Sequence, residues 1–329
     1  MGHRVTFYIN PTRLTREVKN ALLDSNLIKR LFVKLTGFKP KIFTAEEKEQ
    51  MRQKLIEGNR KQDRDIRTCP EKLIGGLTIE EVKLPNAAGW LVTRPENPEK
   101  KIVYYIHGGG FVGSCTKERM PFVAELVRTF GYNVFSLDYR LAPEFMYPCG
   151  LNDCLDGYSW LLGHFAAEDI VLVGESAGGN FVLTLPLLLR DRGLPLPKAV
   201  YSNSPVTQML EEKESFRRFS LKEDFIVVEG ILENTAGIYM RPEEAGEPCV
   251  SPLCADLRGL PPVFLTASEC ECLLDDAVAM AAKLKEAGND VKLKTYPGLC
   301  HAFIISPQMK KVVQLAYPDL RDFLQTHLG

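Results

Sequence analysis

A serine set among small residues, Gly174-Glu175-Ser176-Ala177-Gly178-Gly179, follows the apolar run Ile170–Val173 and precedes a helical stretch. This is G-x-S-x-G in a strand-turn-helix setting, where the chain turns so sharply that the serine is lifted above the sheet. In isolation the same residues would also suit a small-residue turn serving only strand-helix packing. Upstream, a second apolar run, Tyr104–Ile106, opens into His107-Gly108-Gly109-Gly110-Phe111. A glycine-rich turn after a strand exposes successive backbone N–H groups, and acyl transfer needs such donors for the oxygen of its tetrahedral intermediate. Gly108 and Gly109 offer two donors and Ala177 a third. No P-loop lysine follows, which argues against a P-loop phosphate cradle.

A serine hydroxyl is a weak nucleophile at neutral pH, so a base must take its proton and a third group must orient that base. Of the five histidines, His3 and His327 lie near the ends, His164 follows a helical segment and His107 reads as structural in the glycine-rich turn. His301, in Tyr296-Pro-Gly-Leu-Cys-His301-Ala-Phe303, follows an apolar strand and precedes the last helix. It is the candidate base. The acid should follow the run Pro262–Thr266, where Glu269, Glu271, Asp275 and Asp276 stand. Asp275 and Asp276 fall in the first turn of the next helix, a position carboxylates often take to serve the helix dipole. The residues themselves leave Glu269 and Glu271 as equal choices.

These groups need a scaffold. Short β-rich runs at Gly76–Leu84, Gly89–Arg94, Ile102–Ile106, Asn133–Leu137, Ile170–Val173, Ala199–Ser202, Pro262–Thr266 and Val291–Tyr296 alternate with helical segments near 117–129, 151–163, 177–191, Ala277–Ala287 and 308–327. Strands separated by helices give an α/β fold, a mostly parallel central sheet with helices on both faces. The rhythm breaks over residues 206–250, which are charge-rich and helical from Phe225 to Met240, so an insertion is expected there. Residues 1–43, with nine Lys/Arg against two Asp/Glu, read as a basic amphipathic helix, a lid or docking element rather than a membrane anchor. Thr44-Ala-Glu-Glu47 is a capping box opening a helix, charged almost all round to about residue 66, that reads as a solvated arm.

Together these blocks resemble the hormone-sensitive lipase-like branch of the α/β-hydrolases, also called bacterial esterase family IV. The resemblance covers residues 80 to 325 and rests on His107-Gly-Gly-Gly110, Asp138-Tyr-Arg-Leu-Ala-Pro-Glu144, Gly174-Glu-Ser-Ala-Gly-Gly-Asn180, Ser251-Pro-Leu253 with Gly259-Leu-Pro-Pro262, Glu271-Cys-Leu-Leu-Asp275, and Tyr296-Pro-Gly298 with His301-Ala-Phe303. It implies Ser176 as nucleophile, His301 as base and Glu271, the first acid of its block, as the orienting carboxylate, where many members carry Asp. It also implies that Asp138 to Glu144 is an ion-paired scaffold. A cap is implied too, built from residues 1–70 and the 206–250 insertion over a catalytic domain of 71–205 and 251–329. Met209, Phe225, Ile226, Ile238, Tyr239 and Met240 are candidate pocket walls within it. The implied function is hydrolysis of short-chain acyl or acetyl esters without metal or organic cofactor. The alternatives are an amidase, deacetylase or lactonase on the same triad, or a receptor-like binding protein; the last is disfavoured because the base, His301, is present.

Composition agrees with a globular enzyme. The 329 residues are 45% hydrophobic and 25% charged, and 41 Lys/Arg balance 42 Asp/Glu, so no overall field attracts nucleic acid. No run has the length of a membrane helix, and the first residues lack the pattern of a secretory leader. Nine scattered cysteines suit reduced thiols in a cytoplasm. Three of them, Cys270, Cys272 and Cys300, adjoin the candidate acid and base. The expected partner is a small-molecule ester, with a homodimer as a candidate assembly.

Overall fold

The computed structural model describes residues 44–211, 213–219 and 237–329. The basic helix expected within residues 1–43, and residues 225–236 of the helical stretch expected at Phe225–Met240, lie outside them. In chain order the elements are α1 (Ala45–Lys61), α2 (Glu71–Ile74), β1 (Thr78–Lys83), β2 (Ala88–Thr93), β3 (Ile102–Ile106), α3 (Thr116–Glu125), β4 (Asn133–Asp138), α4 (Cys149–Leu162), β5 (Ile170–Glu175), α5 (Ala177–Asp191) and β6 (Ala199–Asn203). Then come α6 (Glu214–Phe219), β7 (Val263–Ser268), α7 (Leu274–Glu286), β8 (Val291–Tyr296), α8 (Lys310–Leu315) and α9 (Tyr317–Leu328).

The eight strands form one sheet in the order β1-β2-β4-β3-β5-β6-β7-β8. Only the β1–β2 and β2–β4 pairings are antiparallel. Strand β3 shows why the apolar runs fold this way. All five of its residues are buried, and because side chains alternate along a strand, Ile102, Tyr104 and Ile106 enter one core while Val103 and Tyr105 enter the other. Helices α4, α5 and α7 cover the first face; α3 and α9 cover the second.

Two expected elements differ from the structure. The helix opened by Thr44 has its capping box, but it stops at Lys61, because Asp63 and Asp65 turn their carboxylates onto the backbone N–H groups two residues on. It is also no free arm. Arg52 donates to the carbonyls of Gly237 and Pro143, Asn59 to that of Val112, and Arg60 pairs with Glu144. The last helix is two, α8 and α9, restarted where Pro318 stands in the first turn of α9 and cannot continue the hydrogen-bond ladder.

Candidate active site

Strands β5, β6, β7 and β8 are parallel neighbours, so their carboxyl ends lie along one edge of the sheet. Glu175 of β5 pairs with Asn203 of β6, and Ser268 of β7 with Tyr296 of β8. Ser176 follows β5 directly with φ 55 and ψ −117, a conformation that an L-residue holds only under strain. Its N–H donates to the carbonyl of Asn203 at 2.9 Å. The turn fits because Gly178 lies against the Ile106 carbonyl, where an added Cβ would overlap. Ala177 then opens α5, whose first-turn amides have no partner within the helix.

The glycine-rich loop adjoins this elbow. A Cβ on Gly108 would stand 3.0 Å from the Cβ of Ser176 and 2.6 Å from the Glu175 carbonyl. Gly109, at φ +116, requires glycine. The N–H of Gly108 is already used: it donates to Glu175 Oε1 at 2.7 Å. That amide, expected as an oxyanion donor, is therefore engaged within the protein. His107 is structural as read. It is wholly buried, stacked on Tyr139 with ring centroids 4.3 Å apart, and its Nδ1–H donates to the Gly108 carbonyl at 2.7 Å. Burial pushes its pKa down to about 3, so the ring is neutral.

The candidate acids differ in side-chain direction. Glu271 is wholly buried, and its Oε2 lies 2.6 Å from Nδ1 of His301. The other oxygen, Oε1, accepts from Ser204 Oγ at 2.9 Å and from the N–H of Ser268 at 2.7 Å. Glu269 is exposed and accepts from the Thr295 hydroxyl, while Asp275 accepts the N–H of Ser215 at the start of α6. Ser204, which the sequence reading passed over, links the loops: its Oγ accepts the N–H of Ala302 at 3.1 Å while donating to Glu271. No local motif marks it. Its signal is the backbone, at φ 50.

The surrounding residues fall into place around this edge. Arg140 and Asp153 form a hydrogen-bonded ion pair, Asp138 pairs with Arg64 and Glu144 with Arg60, the scaffold expected of the 138–144 segment. Met209, Ile238, Tyr239 and Met240 are buried, and Tyr239 stacks on Phe111 of the glycine-rich loop at 3.8 Å between centroids. Phe225 and Ile226 lie outside the described residues. Near the acid and base, Cys270 is exposed, Cys300 half-buried and Cys272 buried. Among the described residues no group of His, Cys, Asp and Glu is arranged to hold a metal ion, and no helix is long and apolar enough to cross a membrane.

A family model described as the alpha/beta hydrolase fold matches residues 103–305. This chain is an α/β-hydrolase of the hormone-sensitive lipase-like branch. The hydrolase is 34% identical over 246 residues to esterase LipU of Mycobacterium tuberculosis, covering 69% of this chain and 80% of that protein. It is 28% identical over 239 residues to an acetyl-hydrolase of Streptomyces hygroscopicus, covering 71% of this chain and 79% of the relative. Its fold matches the crystal structure of an esterase from the bacterial hormone-sensitive lipase family with a TM-score of 0.73 at 28% identity, across 94% of this chain and 98% of the other. The hydrolase is a carboxylesterase.

Proposed function

We propose that this esterase cleaves short-chain, above all acetyl, esters through Ser176 as nucleophile, His301 as general base and acid, and Glu271 as the carboxylate that orients the base. The observation that carries the reading is the 2.6 Å bond between Glu271 and His301 Nδ1, beside the strained turn that presents Ser176. With its Nδ1–H held by Glu271, the ring keeps Nε2 as the acceptor for the serine proton. Ser176 Oγ attacks the ester carbonyl, and its proton passes to His301. The N–H groups of Ala177 and Gly109, with Gly110 beside it, receive the oxyanion, each such donor worth about 3 kcal/mol of barrier. His301 then protonates the departing alcohol, and water activated by the same base releases the acid from the acyl-serine.

Helix α1 and the 206–250 insertion act in this reading as the cap. Its support is that Asn59 of α1 holds the Val112 carbonyl and Tyr239 of the insertion covers Phe111, both just after the glycine-rich turn. The acetyl preference rests on the acetyl-hydrolase relative. A series of p-nitrophenyl esters from acetyl to palmitoyl tests both parts. The acetyl and butyryl esters should give the highest kcat/KM, and Ser176→Ala should lose turnover by at least about 10⁴-fold. Undiminished turnover in Ser176→Ala overturns the nucleophile; a maximum at palmitoyl overturns the substrate class.

A further inference from the structure

Glu175 stands one residue before the nucleophile and is wholly buried, yet it makes no bond to the reacting groups. Three donors from three separate places converge on its two oxygens. Oε1 accepts the N–H of Gly108 at 2.7 Å and Nε–H of Arg119 at 3.0 Å; Oε2 accepts the hydroxyl of Tyr105 at 2.8 Å. Tyr105 belongs to β3, Arg119 to α3 and Gly108 to the loop between them. A carboxylate is acceptor-only, so it meets three inward donors without any of them turning round. Its backbone meanwhile anchors the elbow, since Glu175 pairs with Asn203 in the sheet.

We propose that Glu175 is the positioning residue of the oxyanion loop. Its side chain grips the first glycine of the His107–Gly110 turn while its main chain runs straight into Ser176, so the two halves of the acyl-transfer site are held at a fixed spacing through one residue. Spending the Gly108 amide on this grip sets the direction of the next amides, those of Gly109 and Gly110. The proposal rests on the esterase mechanism above and adds to it a residue that touches neither substrate nor base.

The rival role is purely structural, a buried partner that neutralises Arg119. Replacing both members of a buried polar pair by apolar residues of similar shape is often nearly neutral for stability, whereas removing one is not. The test is therefore the double variant Glu175→Leu with Arg119→Leu, beside Glu175→Gln. Gln can still accept from Gly108 and Arg119 through its oxygen and donate its amide to the Tyr105 oxygen. We expect the double variant to fold, with kcat lowered about 10²-fold and KM within about threefold of wild type, since an oxyanion contact acts on the transition state. Its affinity for phenylboronic acid, a tetrahedral mimic, should fall with kcat. Glu175→Gln should keep kcat within about tenfold of wild type. Wild-type kcat in the double variant overturns the positioning role, as does a loss in Glu175→Gln as large as that of the double variant; should the double variant not fold, Glu175→Gln alone decides. Ser176→Ala measured alongside separates the failures. If it loses turnover while the double variant does not, only the positioning role falls; if it keeps turnover, the esterase mechanism falls and the proposal with it.

Discussion

Phe111, Ser114, Ser176, Ser204 and Ala302 are the described residues other than glycine with positive φ, and every one lies in a loop bordering the proposed site. Each such conformation costs about 1–3 kcal/mol and persists only where its surroundings enforce it. Around Glu271 the enforcing contacts are visible. Ser204 Oγ and the Ser268 amide fix one carboxylate oxygen, leaving the other for His301. Glu271→Gln presents an amide to Nδ1 and can stabilise the wrong tautomer of the base, so kcat should fall about 10³- to 10⁴-fold with little change in KM. Glu271→Asp, one methylene shorter, keeps the charge but not all three contacts, and should fall between Gln and wild type. Equal kcat for Gln and wild type in a steady-state ester assay would remove Glu271 from the mechanism. Ser176, His301 and the glycine-rich turn were legible in sequence because each carries its own local pattern. The choice among Glu269, Glu271 and Asp275 was not, since three acids within seven residues differ only in where the fold aims them. The use of the Gly108 amide by Glu175 was equally hidden, because its partners are 67 positions apart.

At the scale of elements, helix α5 does more than follow the nucleophile. The side-chain amide of Asn180, in its first turn, donates to the carbonyls of Val206 and Val250, each at 2.9 Å. Those two residues are the bounds of the insertion proposed above. One buried side chain thus pins both ends of a 45-residue excursion to the helix that starts at the active serine. Asn180→Ala leaves two carbonyls without their donor and should lower unfolding free energy by about 2–4 kcal/mol in urea titration. The same variant should be cut by protease within 206–250 faster than wild type, while its cleavage elsewhere is unchanged. Uniform cleavage would show that the clamp does not hold the insertion. Most strands were legible to within two residues, because fully buried strands are unbroken apolar runs between turn residues. Helix α1 was misread in its surroundings for a plain reason: its contacts to the rest of the protein are made by Arg52, Asn59 and Arg60, and polar docking leaves no apolar stripe to detect.

Across the whole molecule, two buried groups titrate in opposite senses. Burial holds His107 neutral down to about pH 3, against 6.5 for an exposed ring, so between those values the unfolded chain binds a proton that the folded one does not. Stability from this group falls as pH drops, by about 1.4 kcal/mol per pH unit. Asp276 is the reverse. Burial raises it from 3.8 to about 6, against the lowering effect of its hydrogen bonds from Thr207, so between those values the folded chain holds the extra proton and stability rises as pH drops. From about pH 4 to pH 6 the two slopes nearly cancel. Asp276→Asn removes one of them and leaves His107 without that counterweight. The variant should therefore lose stability on acidification from pH 6 to pH 4 more steeply than wild type, by about 1.4 kcal/mol per unit, close to 3 kcal/mol across the window. The slope is the quantity to read, from urea unfolding at several pH values. An asparagine amide cannot accept as both carboxylate oxygens do, so the substitution also shifts the whole curve, but a lost hydrogen bond does not tilt it. Parallel curves for the two proteins would mean that Asp276 is ionised in the folded state throughout the window.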